Sequence, residues 1–452
     1  MQPELDNINE NLPASTSHYS LFIKKVFRII AIILLVFALT SCENPDSGYQ
    51  MSDSPRTQSR SAKRGVCFSF DAMPEVDATL LGPHITWWYN WGIEPSEKMK
   101  NYNSLFALDF CPMAWNSTFD STRLTSYCST TPSCQYLLAF NEPNLTDQCN
   151  ETPAQSAANW HKVKSAASTN SLTIISPAMN YGTLAGYSDP IVWLDEFFTL
   201  VDIDDVDAIA IHCYMGSSAA LKSYIDRFRK YGKPIWLTEF CAWEKNIGSI
   251  DAQIQFMSEA VAYLEADPII ERYAWFIPRS SGPLDRYPYN QLLTPTSPYT
   301  LSTLGQTYCY MSTQEKGVRY TTDQTIEAEH YTRCCVADCI GTDSYIAAPH
   351  LTPDTTSASN LILSLIKSQW IEYDVELPST TQYSLSITYS TPSGAKLLWT
   401  VDGNDIDITD IPSTSSDTRY TLSTSIPAGI HTLRLTSLKN NIQLDNLTIT
   451  RQ

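Results

Sequence analysis

The sequence predicts a multidomain chain in which a (β/α)8 TIM barrel is followed by an all-β jelly-roll sandwich. Three observations predict it. Between Lys63 and Met311, eight apolar β-type runs alternate with amphipathic helical stretches, and about 250 residues is the size of such a barrel. After Met311 the helical period gives way to strict two-residue alternation. Between them, Ser312 to Thr325 is polar and reads as a linker.

The expected barrel strands are Arg64 to Phe70, His84 to Trp91, Asp109 to Trp115, Tyr136 to Pro143, Thr173 to Asn180, Asp207 to Tyr214, Pro234 to Phe240 and Arg272 to Ile277. Their unbroken apolar runs suit parallel strands covered on both faces. Pro153 to Thr169, Ala219 to Tyr231 and Asp251 to Ala266 carry apolar residues at helical spacing with Gly or Pro punctuation. A doubly wound sheet is the alternative, but no glycine-rich phosphate loop follows any strand. In the C-terminal part, residues 326–452, Ile371, Tyr373, Val375 and Leu377 share one strand face, Tyr383, Leu385, Ile387 and Tyr389 repeat the pattern, and Asp402-Gly403 signals a hairpin.

Composition narrows the partners. With 48 acidic and 30 basic residues the net charge is −18, so nucleic acid would be repelled. The 25 Tyr and 11 Trp supply rings suited to flat apolar faces such as those of sugars.

At the N-terminus, Lys24, Lys25 and Arg28 precede the apolar run Ile29 to Leu39, short for a bilayer span and long enough for an export signal. A single membrane-spanning anchor is the alternative. Leu39-Thr-Ser-Cys42 resembles the lipobox of bacterial lipoproteins, so residues 1–42 are expected to be a signal, with Cys42 carrying lipid and the protein exported to the outer membrane or cell surface. Residues 43–62, polar and rich in Ser, Asp, Arg and Gln, read as a flexible tether. Twelve cysteines leave an odd number once Cys42 is used. Cys128 with Cys134, and partners among Cys334, Cys335 and Cys339, are close enough to bridge, although spacing gives no connectivity. No CxxC pair with matching His ligands is present, so a zinc site is not expected.

The chemistry concentrates at two strand ends. Tyr136 to Asn144 is an apolar strand that emerges as Asn141-Glu142 and is stopped by Pro143; Pro234 to Phe240 ends likewise at Glu239. An ordinary strand closing on a solvated Glu is the bland alternative for either alone. Together they stand on the fourth and seventh strands, which face each other across the mouth of a closed ring. Paired carboxylates of this kind serve glycoside hydrolysis, where one protonates the leaving oxygen and the other attacks the anomeric carbon; a separation of about 5 Å accompanies retention of configuration. Asn141 is placed to bond a sugar 2-hydroxyl. Trp275 is expected as a stacking floor, with Trp87 and Trp88 as walls, although Trp88 and Trp91 suit core packing equally well. His212 and Tyr214 share a strand face, Tyr214 toward the nucleophile and His212 toward a substrate hydroxyl or buried as a satisfied core histidine. Trp243 and Tyr89 are candidates for outer subsites.

These pieces resemble a known pattern. Asn141-Glu142 on the fourth strand and Glu239 on the seventh look like clan A retaining glycoside hydrolases, in which the first Glu is acid/base and the second nucleophile. Gly65 to about Tyr310 resembles glycoside hydrolase family 128 through Trp87-Trp88-Tyr89-Asn90-Trp91, Leu138 to Asn144, His212-Cys-Tyr214, Leu237-Thr-Glu-Phe240 and Ala274-Trp-Phe276. The resemblance implies an endo-β-1,3-glucanase that needs no catalytic cofactor, binds β-glucan and acts as a monomer, with Asn90 among the substrate contacts. The sandwich resembles carbohydrate-binding module family 6 in Ile326 to Tyr331, Trp370 to Tyr373, Ala428 to Leu435 and Leu444 to Leu447. That implies structural Ca²⁺ on Glu327, Glu329 and Asp445, where a solvated acidic face is the alternative, and sugar contacts from Tyr345 and Asn441; Trp399 is as well suited to the core. The rival expectations are a clan A hydrolase of β-1,4 or mixed-linkage glucan, mannan or xylan, and a surface glycan-binding lipoprotein without catalysis.

Overall fold

Residues 49–280, 288–357 and 359–452 are described by the computed structural model. Cys42 and its apolar run lie outside them, and among the described residues no helix is long and apolar enough to cross a membrane.

The eight barrel strands occur in the expected order: β1 Arg64–Cys67, β2 Trp87–Tyr89, β3 Asp109–Phe110, β4 Tyr136–Leu138, β5 Thr173–Ile175, β6 Ile209–Cys213, β7 Ile235–Phe240 and β8 Ile270–Trp275. Parallel pairing runs β3-β2-β1-β8-β7-β6, and β4 pairs with β5. Parallel bridges Met113 to Leu138, Ile175 to Ala208 and Met179 to Ile211 close the ring. Most strands are shorter than the apolar runs predict, because the chain leaves the ladder early. After β2, Trp91 has already turned into the left-handed region with φ 61°.

Helix boundaries follow local chemistry. Helix Pro153–Asn170 starts on a reciprocal Thr152/Gln155 capping box with Pro at its first turn. The expected helix Ala219 to Tyr231 divides into Ser218–Asp226 and a 3-10 turn, Arg229–Tyr231, closed by the left-handed Gly232 at φ 65°.

Alternation along the strands sorts side chains between two apolar layers. Cys67, Trp87, Tyr89, Ala210, Trp236 and Ala274 fill the lumen, while Val66, Trp88, Leu137, Ile211, Leu237 and Trp275 pack outward with the helices. At the end where the strands begin, Arg272 is held by Asp109 at 2.9 Å and lies over the rings of Tyr136, Trp236 and Trp87 at 4.5, 4.8 and 5.5 Å. This cation inside an aromatic box plugs the floor.

The C-terminal part folds as two antiparallel sheets. One is built around Trp370–Leu377, Gly429–Lys439 and Ala395–Val401, the other around Leu361–Leu365, Ile442–Arg451, Thr381–Thr391 and Thr414–Ile426. The alternating faces read in the sequence are the buried ones: Ile371, Tyr373, Val375 and Leu377 from the first sheet, Tyr383, Leu385, Ile387 and Tyr389 from the second. Trp399 is core, completely buried. This unit docks on barrel helix Ile250–Ala266, where Tyr345 Oη donates to Glu259 Oε2 at 2.7 Å and the Leu351 N–H to Ser258 Oγ at 3.3 Å.

The two polar segments are not free. From residue 49 onward the expected tether is a strap. Buried Glu376 accepts from Tyr49 Oη at 2.8 Å, the Ser52 N–H at 2.6 Å and Arg56 at 3.0 Å. Burial pushes the Glu376 carboxyl up, but the bonds from Ser52, Tyr49 and Arg56 outweigh it and bring it down to about 2. Further on, Arg60 caps the carbonyls of Ile85 and Phe106 at 2.9 and 2.5 Å, at the N-terminal end of the barrel. The expected linker is likewise integrated, with Tyr320 bridging Val375 and the Arg319 N–H bonding the Pro55 carbonyl at 2.9 Å. Polar composition in both segments serves hydrogen bonding rather than solvation.

Candidate active site

Glu142 leaves β4 through a strained turn. Its φ is 45°, a conformation that costs a non-glycine residue on the order of 1 kcal/mol, and its N–H is fixed to the Ala178 carbonyl at 3.0 Å. The side chain is buried. Oε1 accepts from Asn180 Nδ2 at 3.1 Å and meets His212 Nδ1 at 2.8 Å. Asn144 secures this corner, donating to the carbonyls of Asn180 at 2.7 Å and Tyr187 at 3.1 Å.

Glu239 ends β7 and is gripped differently. Tyr89 Oη and Trp91 Nε1 donate to Oε1 at 2.9 and 2.7 Å, and Tyr214 Oη donates to Oε2. Burial, then the Glu239 charge, pushes Tyr89 and Tyr214 well above the ordinary phenol range, so both remain O–H donors. Three neutral donors thus occupy both oxygens of the Glu239 carboxylate and fix its orientation.

His212 lies between the two acids, 3.5 Å from Glu239 Oε2 as well as bonded to Glu142. Burial pulls its pKa down, but the Glu239 charge and the Glu142 hydrogen bond prevail and the net shift is upward from 6.5. A protonated imidazole there donates from Nδ1 and offsets negative charge. Ligand atoms of Glu142, His212 and Glu239 all lie within 4.8 Å of one another. That set has the composition of a metal site, and His212 Nε2 is buried without a partner within the protein, while both oxygens of Glu239 are taken by Tyr89, Trp91 and Tyr214.

These groups open into a cleft of about 400 Å³ whose walls include Trp91, Trp115, Asn141, Asn180, Trp243 and Phe276. Trp243 stacks on Tyr214 with centroids 4.5 Å apart and planes at 16°. Asn141 Nδ2 bonds Gln148 Oε1 at 3.1 Å, while its buried Oδ1 has no partner within the protein.

Residues 65–308 match the family described as Glycosyl hydrolase catalytic core. The chain belongs to this family. Among solved structures, the barrel is similar to a GH128 subgroup II endo-β-1,3-glucanase from Pseudomonas viridiflava, at 36% identity and TM-score 0.51 over 56% of this chain and 98% of that one. A GH128 subgroup II endo-β-1,3-glucanase from Sorangium cellulosum is 33% identical over 55% of this chain and 97% of its own, with TM-score 0.49. Alkali-sensitive linkage protein 1 of Schizosaccharomyces pombe is 27% identical over 227 residues, 48% of this chain. The chain spans only 39% of that relative's length.

In this glycosyl hydrolase the structure brings together Glu142, Glu239, Asn141, Tyr214 and Trp243. It removes other expected substrate contacts. Trp275 points outward, fully buried, with Nε1 on the Asn290 carbonyl at 2.7 Å; the neighbouring Phe276 is the residue in the cleft. Trp88 also faces outward, bonded to Asn103 at 2.8 Å, and Trp87 sits low in the lumen, bonded to the Lys63 carbonyl at 2.9 Å. Asn90 accepts the Gly92 N–H at 3.0 Å and shapes the turn that presents Trp91. His212 is fully buried and touches the glutamates instead of lining the cleft. Tyr345 belongs to the contact between the two folded parts. Asn441 lies in an exposed hairpin turn, where its carbonyl accepts from Thr391 at 2.8 Å. Tyr89, Trp91 and Asn180 are site residues that the sequence underrated. The alternation Trp87, Tyr89, Trp91 held the signal, since all three rings share one strand parity.

Of the expected calcium ligands, Glu327 stands beside Asn446 in an antiparallel pair, which puts Asp445 on the neighbouring strand. Glu329 is buried, with Oε1 on the Leu361 N–H at 2.8 Å and Oε2 without a partner. Burial, followed by the charges of Glu327 and Asp445, pushes Glu329 up to about 8. An orphaned buried carboxylate oxygen among hard oxygen donors fits Ca²⁺. Of Cys128 and Cys134, which the sequence allowed to pair, the structure forms the disulfide. Cys334, Cys335 and Cys339 are free thiols.

Proposed function

We propose that this glycosyl hydrolase is a retaining endo-β-1,3-glucanase with Glu239 as nucleophile and Glu142 as acid/base. The observation that carries this is the approach of the two carboxylates, oxygen to oxygen within 4.8 Å. Retaining enzymes hold theirs at about 5–5.5 Å, whereas inverting enzymes need about 6.5–9.5 Å to admit a water. Glu239, held as an anion by Tyr89, Trp91 and Tyr214, attacks the anomeric carbon. Glu142 gives its proton to the leaving oxygen and then takes one from water, and His212 keeps its carboxyl aimed. Asn141 Oδ1 accepts from the sugar 2-hydroxyl.

The substrate class rests on the likeness to the Pseudomonas viridiflava endo-β-1,3-glucanase. Reducing-sugar release from laminarin and curdlan, set beside cellulose, mannan and xylan, tests it. Release from a β-1,4-linked chain alone would reassign the linkage, and no release from any would favour a glycan-binding role. Loss of activity in Glu239→Ala with recovery in azide tests the nucleophile.

The remainder of the reading is an exported lipoprotein anchored through Cys42, whose C-terminal unit is a jelly-roll carbohydrate-binding module stapled by Ca²⁺ at Glu327, Glu329 and Asp445. Its support is the lipobox-like sequence and the unpartnered oxygen of Glu329. Labelling with palmitate that survives in Cys42→Ala would remove the anchor. A melting temperature indifferent to Ca²⁺ and chelator would remove the cation.

A further inference from the structure

We infer that Gln148 is a positioning residue for the hydrolytic reaction: it locks the Asn141 amide so that Oδ1 meets the reacting sugar as a fixed hydrogen-bond acceptor. The inference rests on the reading of Asn141 as the contact to the sugar 2-hydroxyl and names what holds that contact in place.

Asn141 is 3% exposed, and its main chain is fixed on both sides. Its N–H bonds the Trp115 carbonyl at 2.9 Å, and its carbonyl accepts the Cys149 N–H at 3.2 Å. What remains is rotation of the side-chain amide, and Gln148 removes it, since its Oε1 accepts from Asn141 Nδ2 at 3.1 Å. Gln148 belongs to the segment that returns from the end of β4, and that return is itself anchored. The Leu145 N–H bonds the Glu142 carbonyl at 3.0 Å, the Gln148 N–H the Leu145 carbonyl at 3.2 Å and the Glu151 N–H the Pro143 carbonyl at 2.9 Å. The Glu151 carboxylate accepts the Ser117 N–H at 3.1 Å and the Ser156 hydroxyl at 3.0 Å. Asn141 and Gln148 both line the cleft that holds Glu142 and Glu239.

The lock leaves one polar atom without a partner. With Nδ2 turned to Gln148, the buried Oδ1 bonds nothing within the protein, an arrangement that costs stability until a donor reaches it. A sugar hydroxyl carries that donor. An amide free to turn could present nitrogen as readily as oxygen, so without Gln148 the hydroxyl would meet the wrong polarity part of the time. Hydrogen bonds to the 2-hydroxyl strengthen as the oxocarbenium-like transition state develops, so the orientation of the acceptor bears on kcat more than on KM.

The test is a double-mutant cycle on the hydrolysis of gluco-oligosaccharides by the full chain, with Gln148→Met, Asn141→Ala and the two combined, and with Gln148→Glu beside them. Each enzyme is measured at the top of its own pH profile and checked by melting. Gln148→Met keeps the length of the side chain without its amide oxygen, and kcat should fall about tenfold with KM within about threefold. In the Asn141→Ala background the same change should cost less than about twofold more. Gln148→Glu supplies an acceptor and no donor, so it should recover kcat to within about threefold of the parent. A Gln148→Met protein that melts as the parent does and keeps the parent's kcat would overturn the lock. So would a Gln148→Glu enzyme as slow as Gln148→Met, which would make Gln148 the donor, and so would an undiminished loss in the Asn141→Ala background. Asn141→Ala at the parent's rate would instead overturn the reading of Asn141 as a substrate contact. If the parent prefers β-1,4 chains, the same cycle on those chains decides equally.

Discussion

The two ends of the barrel lumen use the same residue types in opposite ways. At the floor, Trp87, Tyr136 and Trp236 turn ring faces toward the Arg272 cation. At the mouth, Tyr89, Trp91 and Tyr214 turn polar edges toward the Glu239 anion. A ring carries negative potential on its face and donors at its edge, so its orientation selects the sign of the charge it stabilises. The floor is sealed and its charge is spent on packing. At the mouth, the stabilised charge adjoins a cleft and remains available for reaction.

The strongest test of that contrast acts on the mouth alone. Glu142→Gln should lower kcat on oligosaccharides by about 10³-fold while sparing aryl glycosides with good leaving groups, whose departure needs no proton. An equal loss on both would deny the acid role. Arg272→Met breaks the floor instead. It should destabilise the fold by about 2–4 kcal/mol, read by denaturant melts, and leave kcat within a few fold. A large kcat loss at unchanged stability would mean that the ends are not separate. A finer probe is Trp91→Phe, which keeps the ring and removes one donor to Glu239. Here kcat should fall by about 10–100-fold with KM little changed, and a KM effect alone would assign Trp91 to binding.

The smallest effect concerns pH. Because the folded pKa of His212 lies above its ordinary 6.5, the stability from the protonated ring is complete below pH 6.5 and is lost as pH rises through the raised value. The groups it faces are Glu142 and Glu239. The melting-temperature gap between wild type and His212→Gln should therefore be widest at acid pH and narrow above 6.5. A gap constant with pH would show that the ring acts only by filling space.

Much of this was legible before any coordinates. Eight apolar runs give eight strands because parallel strands are buried on both faces, and Glu142 and Glu239 stand out because a carboxylate ends each run. The same uniformity hid the phase. Where both faces are apolar, sequence does not say which of two successive rings points inward, so Trp275 was expected in the cleft that Phe276 occupies. His212 and Tyr214 kept their shared parity, but which partner His212 takes depended on the depth of Glu142, which is set by its turn at φ 45°. Residues 49–62 misled through composition. Ser, Arg and Gln resemble a solvated chain until Glu376 and unpaired carbonyls are there to receive them.

That strap also governs geometry on a larger scale. It enters the barrel at the end where the strands begin, opposite the mouth. The strap and the cleft thus sit at opposite ends of the barrel, so the approach to Glu142 and Glu239 is left clear of the contact that ties residues 49–62 to the C-terminal unit.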